Sequence, residues 1–434
     1  MTKDKLLTIK TRLLQSALFK DSFWALMGNV LGRGLALIAS ILIARLLGKE
    51  LFGMYGFIRT TLLSMAVFST FGLGYTATKF IAEYLAKSPE RIKSLIDDIN
   101  KITLATSTLF AVIIFIFSKE ISGFLGSPDL YESIRYLAVI VIFNSITTTQ
   151  TGVLAGFKKF KELARINAIN GTVTFFLSVV LTYFYSLNGA LIALLVTQMY
   201  NCLQNYVEVR RSINALGVEH ESFSLKKELF TFSLPIAMQE MVYSLSGWLY
   251  SFLLVHYSNI GEVGLYNAAM LWANVVLFVP GVLKNVMLSH LSTDSSNDNS
   301  QKELVKRMTI IYFLATFIPF LIIALFSGLI TQMYGESFEG LRWVLISAIL
   351  YTVVNSLLAV IRNYFMSIKR TWFIFNMEVL NNVIILLLFV ALSNLDVESA
   401  AITLCLSKAL ATVVVYFVYF LSYRQFCNKT AIEL

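Results

Sequence analysis

The sequence predicts an all-α membrane protein, with about twelve transmembrane helices in two pseudo-symmetric six-helix lobes around a central cavity. Three observations predict it. Of the 434 residues, 57% are hydrophobic and only 14% charged, whereas soluble domains carry about a quarter charged residues; the mean hydropathy is +0.71. Apolar runs recur that are long enough to cross a bilayer, which takes about 20 residues at ~1.5 Å each. The second half of the chain also repeats features of the first at one constant offset.

By hydropathy and loop charge, the crossings fall at 22–46, 53–78, 101–118, 132–157, 166–185, 189–207, 229–254, 264–290, 308–331, 341–366, 372–393 and 399–423. The first of them sets the pattern for the rest. In SFWALMGNVLGRGLALIASILIARLLG (22–48), Ser22, Asn29, Arg33, Ala36 and Ser40 share one helical stripe that is polar or small, while the other faces are apolar. An arginine at mid-membrane costs about 2.5–3.5 kcal/mol on insertion scales, so Arg33 is expected to face a bundle interior or a watery cavity. A short break at Gly189 separates the fifth and sixth crossings, and Pro280-Gly281 marks a kink in the eighth. Segment 79–101 reads as two short surface helices, the second capped by Ser88 with Pro89 at its first position.

These crossings divide the chain into a basic segment (1–21), an N-lobe (22–207), a linker (208–228), a C-lobe (229–423) and a tail (424–434). The basic segment shows no cleavable signal and is either a helix lying on the inner surface or a topogenic tail. Lysine and arginine counting sets the orientation. Lys158, Lys159, Lys161 and Arg165 fall on one side with Arg210, Arg211, Lys226 and Lys227, whereas the opposite loops keep only Lys49 and Lys119. Both termini are therefore expected in the cytoplasm.

The internal repeat has an offset of 211 residues. It carries Gly53-Met-Tyr55 to Gly264-Leu-Tyr266, Asn144-Ser145 to Asn355-Ser356, Lys158-Lys159 to Lys369-Arg370 and Asn170 to Asn381. Because six helices is an even number, the two halves share one topology. Parallel repeats of this kind occur in transporters, with the site at the interface between halves.

Composition also narrows the chemistry. Cys202, Cys405 and Cys427 have no paired spacing, and His220, His256 and His290 make no cluster, so neither a disulfide framework nor a metal site is expected. The net charge of +9 would suggest nucleic acid in a soluble protein, but here it sets topology and no nucleic-acid partner is expected. No glycine loop for phosphate, nucleophile constellation or large outer loop points to an enzyme or a cofactor.

The ionisable residues inside the expected crossings are Arg33, Arg59, Glu240, Lys284, Arg362, Glu378 and Lys408. Five cations face two anions, and that surplus is best balanced by an anion that comes and goes. Lys284, Arg362 and Arg59 lie near enough to membrane edges for snorkelling to be the alternative role, while Arg33 and Lys408 are too central for it. Asn29 joins Arg33 on its stripe. Glu240 and Glu378 are either charge partners of these cations or carriers of a coupling proton or sodium ion. Asn144, Asn355, Asn381 and Asn382 either bind sugar hydroxyls or join helices.

Three segments carry a family resemblance: LIARLLGKELFGMYGF (42–57), FGLGYTATKFIAEYLAKSPERI (71–92) and GVLAGFKKFKELARINAINGTV (152–173). The chain resembles the Wzx-type polysaccharide and O-antigen flippases of the multidrug/oligosaccharidyl-lipid/polysaccharide (MOP) exporter superfamily. The resemblance implies alternating access that moves an undecaprenyl-pyrophosphate-linked oligosaccharide from the inner to the outer leaflet of the bacterial cytoplasmic membrane. Membrane lipids and polysaccharide polymerase or assembly proteins are the further partners it implies. In related flippases of lipid-linked peptidoglycan precursors, cavity arginines in the first two helices bind pyrophosphate; here Arg33 and Arg59 fall in those helices and Lys284 in the eighth. The alternative reading is a proton- or sodium-coupled multidrug antiporter of the same superfamily, for which Glu240 in the seventh helix is the suggestive residue.

Overall fold

The computed structural model describes residues 17–125, 128–217, 226–281, 283–284, 287, 298–368, 370–393 and 399–430. For 17–31, 33, 86, 129, 226–233, 235–236, 298–300 and 427–430 it describes the backbone alone. Most of the expected basic segment 1–21, part of the linker 208–228 and the polar stretch 288–297 therefore lie outside the described residues. Among the described residues, all regular structure is helical. The chain forms two compact units, residues 1–46 with 57–248 and residues 47–56 with 249–434.

The helices are α1 (Ala17–Thr70), α2 (Leu73–Lys87), α3 (Ile92–Ile116), α4 (Ser118–Phe124), α5 (Tyr131–Leu137), α6 (Val139–Gly156) and α7 (Phe160–Asn214). They continue with α8 (Lys226–Tyr257), α9 (Ile260–Val276), α10 (Asp298–Tyr334), α11 (Leu341–Ser367), α12 (Thr371–Ser393) and α13 (Ala400–Thr430). Among the described residues, seven helical stretches are long and apolar enough to cross a membrane. They hold eight of the expected crossings, because α7 reverses and contains both the fifth and the sixth.

The helix breaks follow local chemistry. Within α1 the chain turns at Gly48, whose φ of 74° and ψ of 169° suit only glycine. Phe71 and Gly72 both take positive φ, so the second expected crossing ends there rather than at 78. In α7 the reversal falls on Ser186 (φ 51°) and not on Gly189. Gly189 instead permits close packing. A Cβ there would lie 1.8 Å from the Leu181 carbonyl oxygen, so its missing side chain lets the two arms close. α9 stops at Leu277, before Pro280, and helix resumes at 278–281. Pro280 has no N–H for the Val276 carbonyl, and its ring crowds that same oxygen.

One expectation needs correction. Pro89 does open a short 3-10 turn, but the Ser88 side chain caps nothing; its backbone N–H bonds Tyr84 O at 2.8 Å and closes α2 instead. The second of the two expected surface helices is continuous with the third crossing, as α3.

In the first unit, Leu73, Ala77 and Ile81 of α2 pack with Leu95 and Ile99 of α3 and Val153 and Leu154 of α6. In the second unit, Tyr312 of α10 packs with Ile361, Tyr364 and Phe365 of α11 and Tyr419 of α13. The 211-residue offset carries Val153 and Leu154 onto Tyr364 and Phe365, so the repeat extends to core positions. Both units also bury hydroxyl pairs: Ser69 with Ser145 at 2.5 Å, and Thr316 with Ser356 at 3.0 Å. Leu321, Leu325 and Leu329 form an exposed stripe along α10, the arrangement of a helix solvated by acyl chains rather than water.

Candidate functional site

The second unit encloses a polar network built on Lys408. This residue lies in the first third of α13, the ninth of its 31 residues, and is only 6% exposed. Its Nζ donates to the Tyr266 hydroxyl at 2.9 Å and sits 4.6 Å from the Tyr351 ring centroid, 5.1 Å from Tyr250 and 5.4 Å from Tyr266. The three rings come from α8, α9 and α11, so four helices close on one ammonium. The negative faces of aromatic rings offset part of the lost hydration, each by about 0.5–2 kcal/mol depending on desolvation. No carboxylate is among the described partners of Lys408. Under the repeat its counterpart is Thr197, so this charge belongs to one half only.

The network extends outward from the cage. The Tyr250 hydroxyl donates to Asn382 Oδ1 at 2.5 Å, and Asn382 Nδ2 donates to the Glu378 carbonyl oxygen at 2.8 Å, one turn back on α12. The Glu378 carboxylate accepts from Arg362 Nη1 of α11 at 3.2 Å. Side-chain exposure in this pair is 32% for Arg362 and 29% for Glu378, so water or a ligand reaches it. The buried ammonium and the accessible ion pair are thus joined through Tyr250 and Asn382.

The other candidates divide between the units. Asn29 and Arg33 lie on α1, but their side chains are outside the described residues. The backbone beside Arg33 is closely packed: a Cβ added at Gly171 of α7 would fall 2.8 Å from Gly32 Cα. Arg59 is exposed on α1. Glu240, on α8, is half-buried and acts electrostatically on Tyr75 of α2, within the same unit. Lys284 is exposed and has an interaction partner. Of the sequence candidates, the structure gathers Arg362, Glu378 and Lys408. It adds Tyr250, Tyr266 and Tyr351, of which only Tyr266 carries a sequence signal, through its place in the repeat.

Charged groups are held inside this helical membrane fold, and known proteins share the fold. Among solved structures, an inward-facing multidrug resistance MATE family transporter of the MOP superfamily matches with a TM-score of 0.76 at 15% identity, covering 92% of this chain and 96% of that one. The lipid II flippase MurJ, in an inward closed conformation, matches with a TM-score of 0.74 at 16% identity over 92% of this chain and 87% of that one. At these identities the likeness shows the fold.

The chain belongs to the polysaccharide biosynthesis protein family, whose model matches residues 18–283. It is 22% identical over 334 residues to "Putative O-antigen transporter" of Shigella flexneri, covering 74% of this chain and 78% of that one. It is 26% identical over 247 residues to an uncharacterized membrane protein of Methanocaldococcus jannaschii, covering 53% of this chain and 57% of that one, little more than half of the relative's length. The polysaccharide-type resemblance read from three segments agrees with this family and with the O-antigen transporter relative, and the likeness to MOP-superfamily transporters is one of fold.

Proposed function

We propose that this chain is a flippase that carries an undecaprenyl-pyrophosphate-linked oligosaccharide repeat unit from the inner to the outer leaflet of the bacterial cytoplasmic membrane, with both termini in the cytoplasm. The observation that carries the proposal is Lys408, a buried cation satisfied by a hydroxyl and ring faces, with no carboxylate among its described partners. A pyrophosphate offers such a cation a stronger partner than an aromatic face, and Arg362, connected to the cage through Tyr250, Asn382 and Glu378, presents a further charge to phosphate. Arg33, Arg59, Lys284 and Asn29 are assigned to the same anionic head group. The polyprenyl tail stays in lipid while the lobes 22–207 and 229–423 rock between inward and outward access. An inside-negative potential drives each negative charge outward by about 2.3 kcal/mol per 100 mV.

Glu378 is assigned as the charge partner of Arg362, released when substrate phosphate competes for the guanidinium. Glu240 is assigned to proton or sodium coupling. In a strain lacking its own polysaccharide flippase, this chain should restore surface glycan, and Lys408→Met at equal protein level should not. The second reading, a cation-coupled multidrug antiporter, is favoured by the likeness to MATE transporters and by Glu240. It predicts drug resistance on overexpression and no glycan rescue.

A further inference from the structure

The two arms of α7 reverse at Ser186, so residues 162–169 come opposite residues 203–211 at the basic-loop end of the helix pair. Between them is a groove of about 300 Å³. Its floor is apolar, made by Ile166, Ile169, Leu203 and Val207, and Arg165 and Arg211 stand at its rim. Both carboxylates of the groove are already paired, Glu162 with Lys159 at 3.6 Å and Glu208 with Arg211 at 3.5 Å. Arg165 is exposed and makes no described ion pair. Around the two arm ends, Lys158, Lys159, Lys161, Arg165, Arg210 and Arg211 outnumber those two carboxylates by six to two.

We propose that this groove holds a resident anionic phospholipid of the cytoplasmic leaflet, with acyl chains on the apolar floor and the phosphate between Arg165 and Arg211. Charge complementarity selects this occupant, because basic pockets between membrane helices on the cytoplasmic side suit anionic head groups. The assignment depends on the basic loops facing the cytoplasm and stands apart from the transported substrate. Each arginine is expected to contribute about fivefold in affinity.

Native mass spectrometry of the full-length protein in detergent tests it, with phosphatidylglycerol or phosphatidylethanolamine added at equal concentration. The wild type should retain phosphatidylglycerol preferentially. Arg165→Gln/Arg211→Gln should weaken that retention by about 25-fold while the protein stays monodisperse, and Arg165→Gln alone by about fivefold. Arg424→Gln, basic but outside the groove, should leave retention unchanged. Equal retention of the two lipids, unchanged binding by the arginine variants, an equal loss in Arg424→Gln, or displacement of phosphatidylglycerol by an equal amount of undecaprenyl phosphate would each overturn the proposal.

Discussion

Gly53 and Gly264 press reciprocally on each other's helix. A Cβ added at Gly53 would fall 2.0 Å from the Ile260 carbonyl oxygen, and one added at Gly264 would fall 2.1 Å from that of Lys49. The 211-residue offset carries Gly53 to Gly264 and Lys49 to Ile260, so each contact is the image of the other. Gly56 and its counterpart Asn267 extend the pattern, with 2.0 Å between an added Cβ and Asn267 Nδ2. All of these residues belong to the second unit.

This contact predicts a stability effect with a signature of its own. Gly53→Ala or Gly264→Ala should each cost about 1–3 kcal/mol, the usual range for overpacking. The double variant should cost less than the sum, because backbones pushed apart by one methyl already make room for the other. Thermal unfolding in detergent measures this; additive losses would show that the two contacts are independent.

Lys408 separates function from stability. Lys408→Met keeps most of the side-chain volume and removes a charge whose burial is costly. It also removes a charge-assisted hydrogen bond of about 1.5–3 kcal/mol and three ring contacts. These terms oppose one another, so Tm should change little while transport falls by at least about tenfold, the equivalent of 1.4 kcal/mol. A large loss of Tm with normal transport per folded molecule would make the cage purely structural.

The Arg362–Glu378 pair is about one-third exposed, so its coupling should be small, about 0–1 kcal/mol in a double-mutant cycle of Arg362→Gln and Glu378→Gln. Transport should distinguish the two partners. Arg362→Gln should impair it strongly, whereas Glu378→Gln should leave a cation still able to meet phosphate. Equal impairment by both would favour an ion-coupling role for the carboxylate.

The helical crossings and the repeat are legible in the sequence because both rest on long-range periodicity, which averages over many residues. Arg33 and Lys408 stand out there as cations too central to reach an edge. The turn at Ser186 leaves no such mark, because glycine is the usual sign of a break and here Gly189 serves close packing instead. Ser88 has the residue type of a cap, yet its backbone geometry gives it the end of α2. The cage around Lys408 is not legible, since Tyr250, Tyr266 and Tyr351 span about a hundred residues in sequence and meet only through packing.

The buried hydroxyl pairs give a further test of the repeat. Ser145→Ala and Ser356→Ala each remove one interhelical hydrogen bond, a change of about 0.6 kcal/mol in membrane proteins. Ser145 and Ser356 lie in different units, so their effects should add. Unfolding in denaturing detergent measures both; a cost confined to one of them would show that the halves use these counterparts differently.

The most direct measurement is translocation by the purified protein in liposomes. A fluorescent undecaprenyl-pyrophosphate oligosaccharide is placed in one leaflet, and its appearance in the other is read by a membrane-impermeant quencher. The account predicts rapid exchange with the wild type and none above empty liposomes with Lys408→Met. Wild-type protein that is folded and reconstituted but leaves the lipid where it was placed would contradict it.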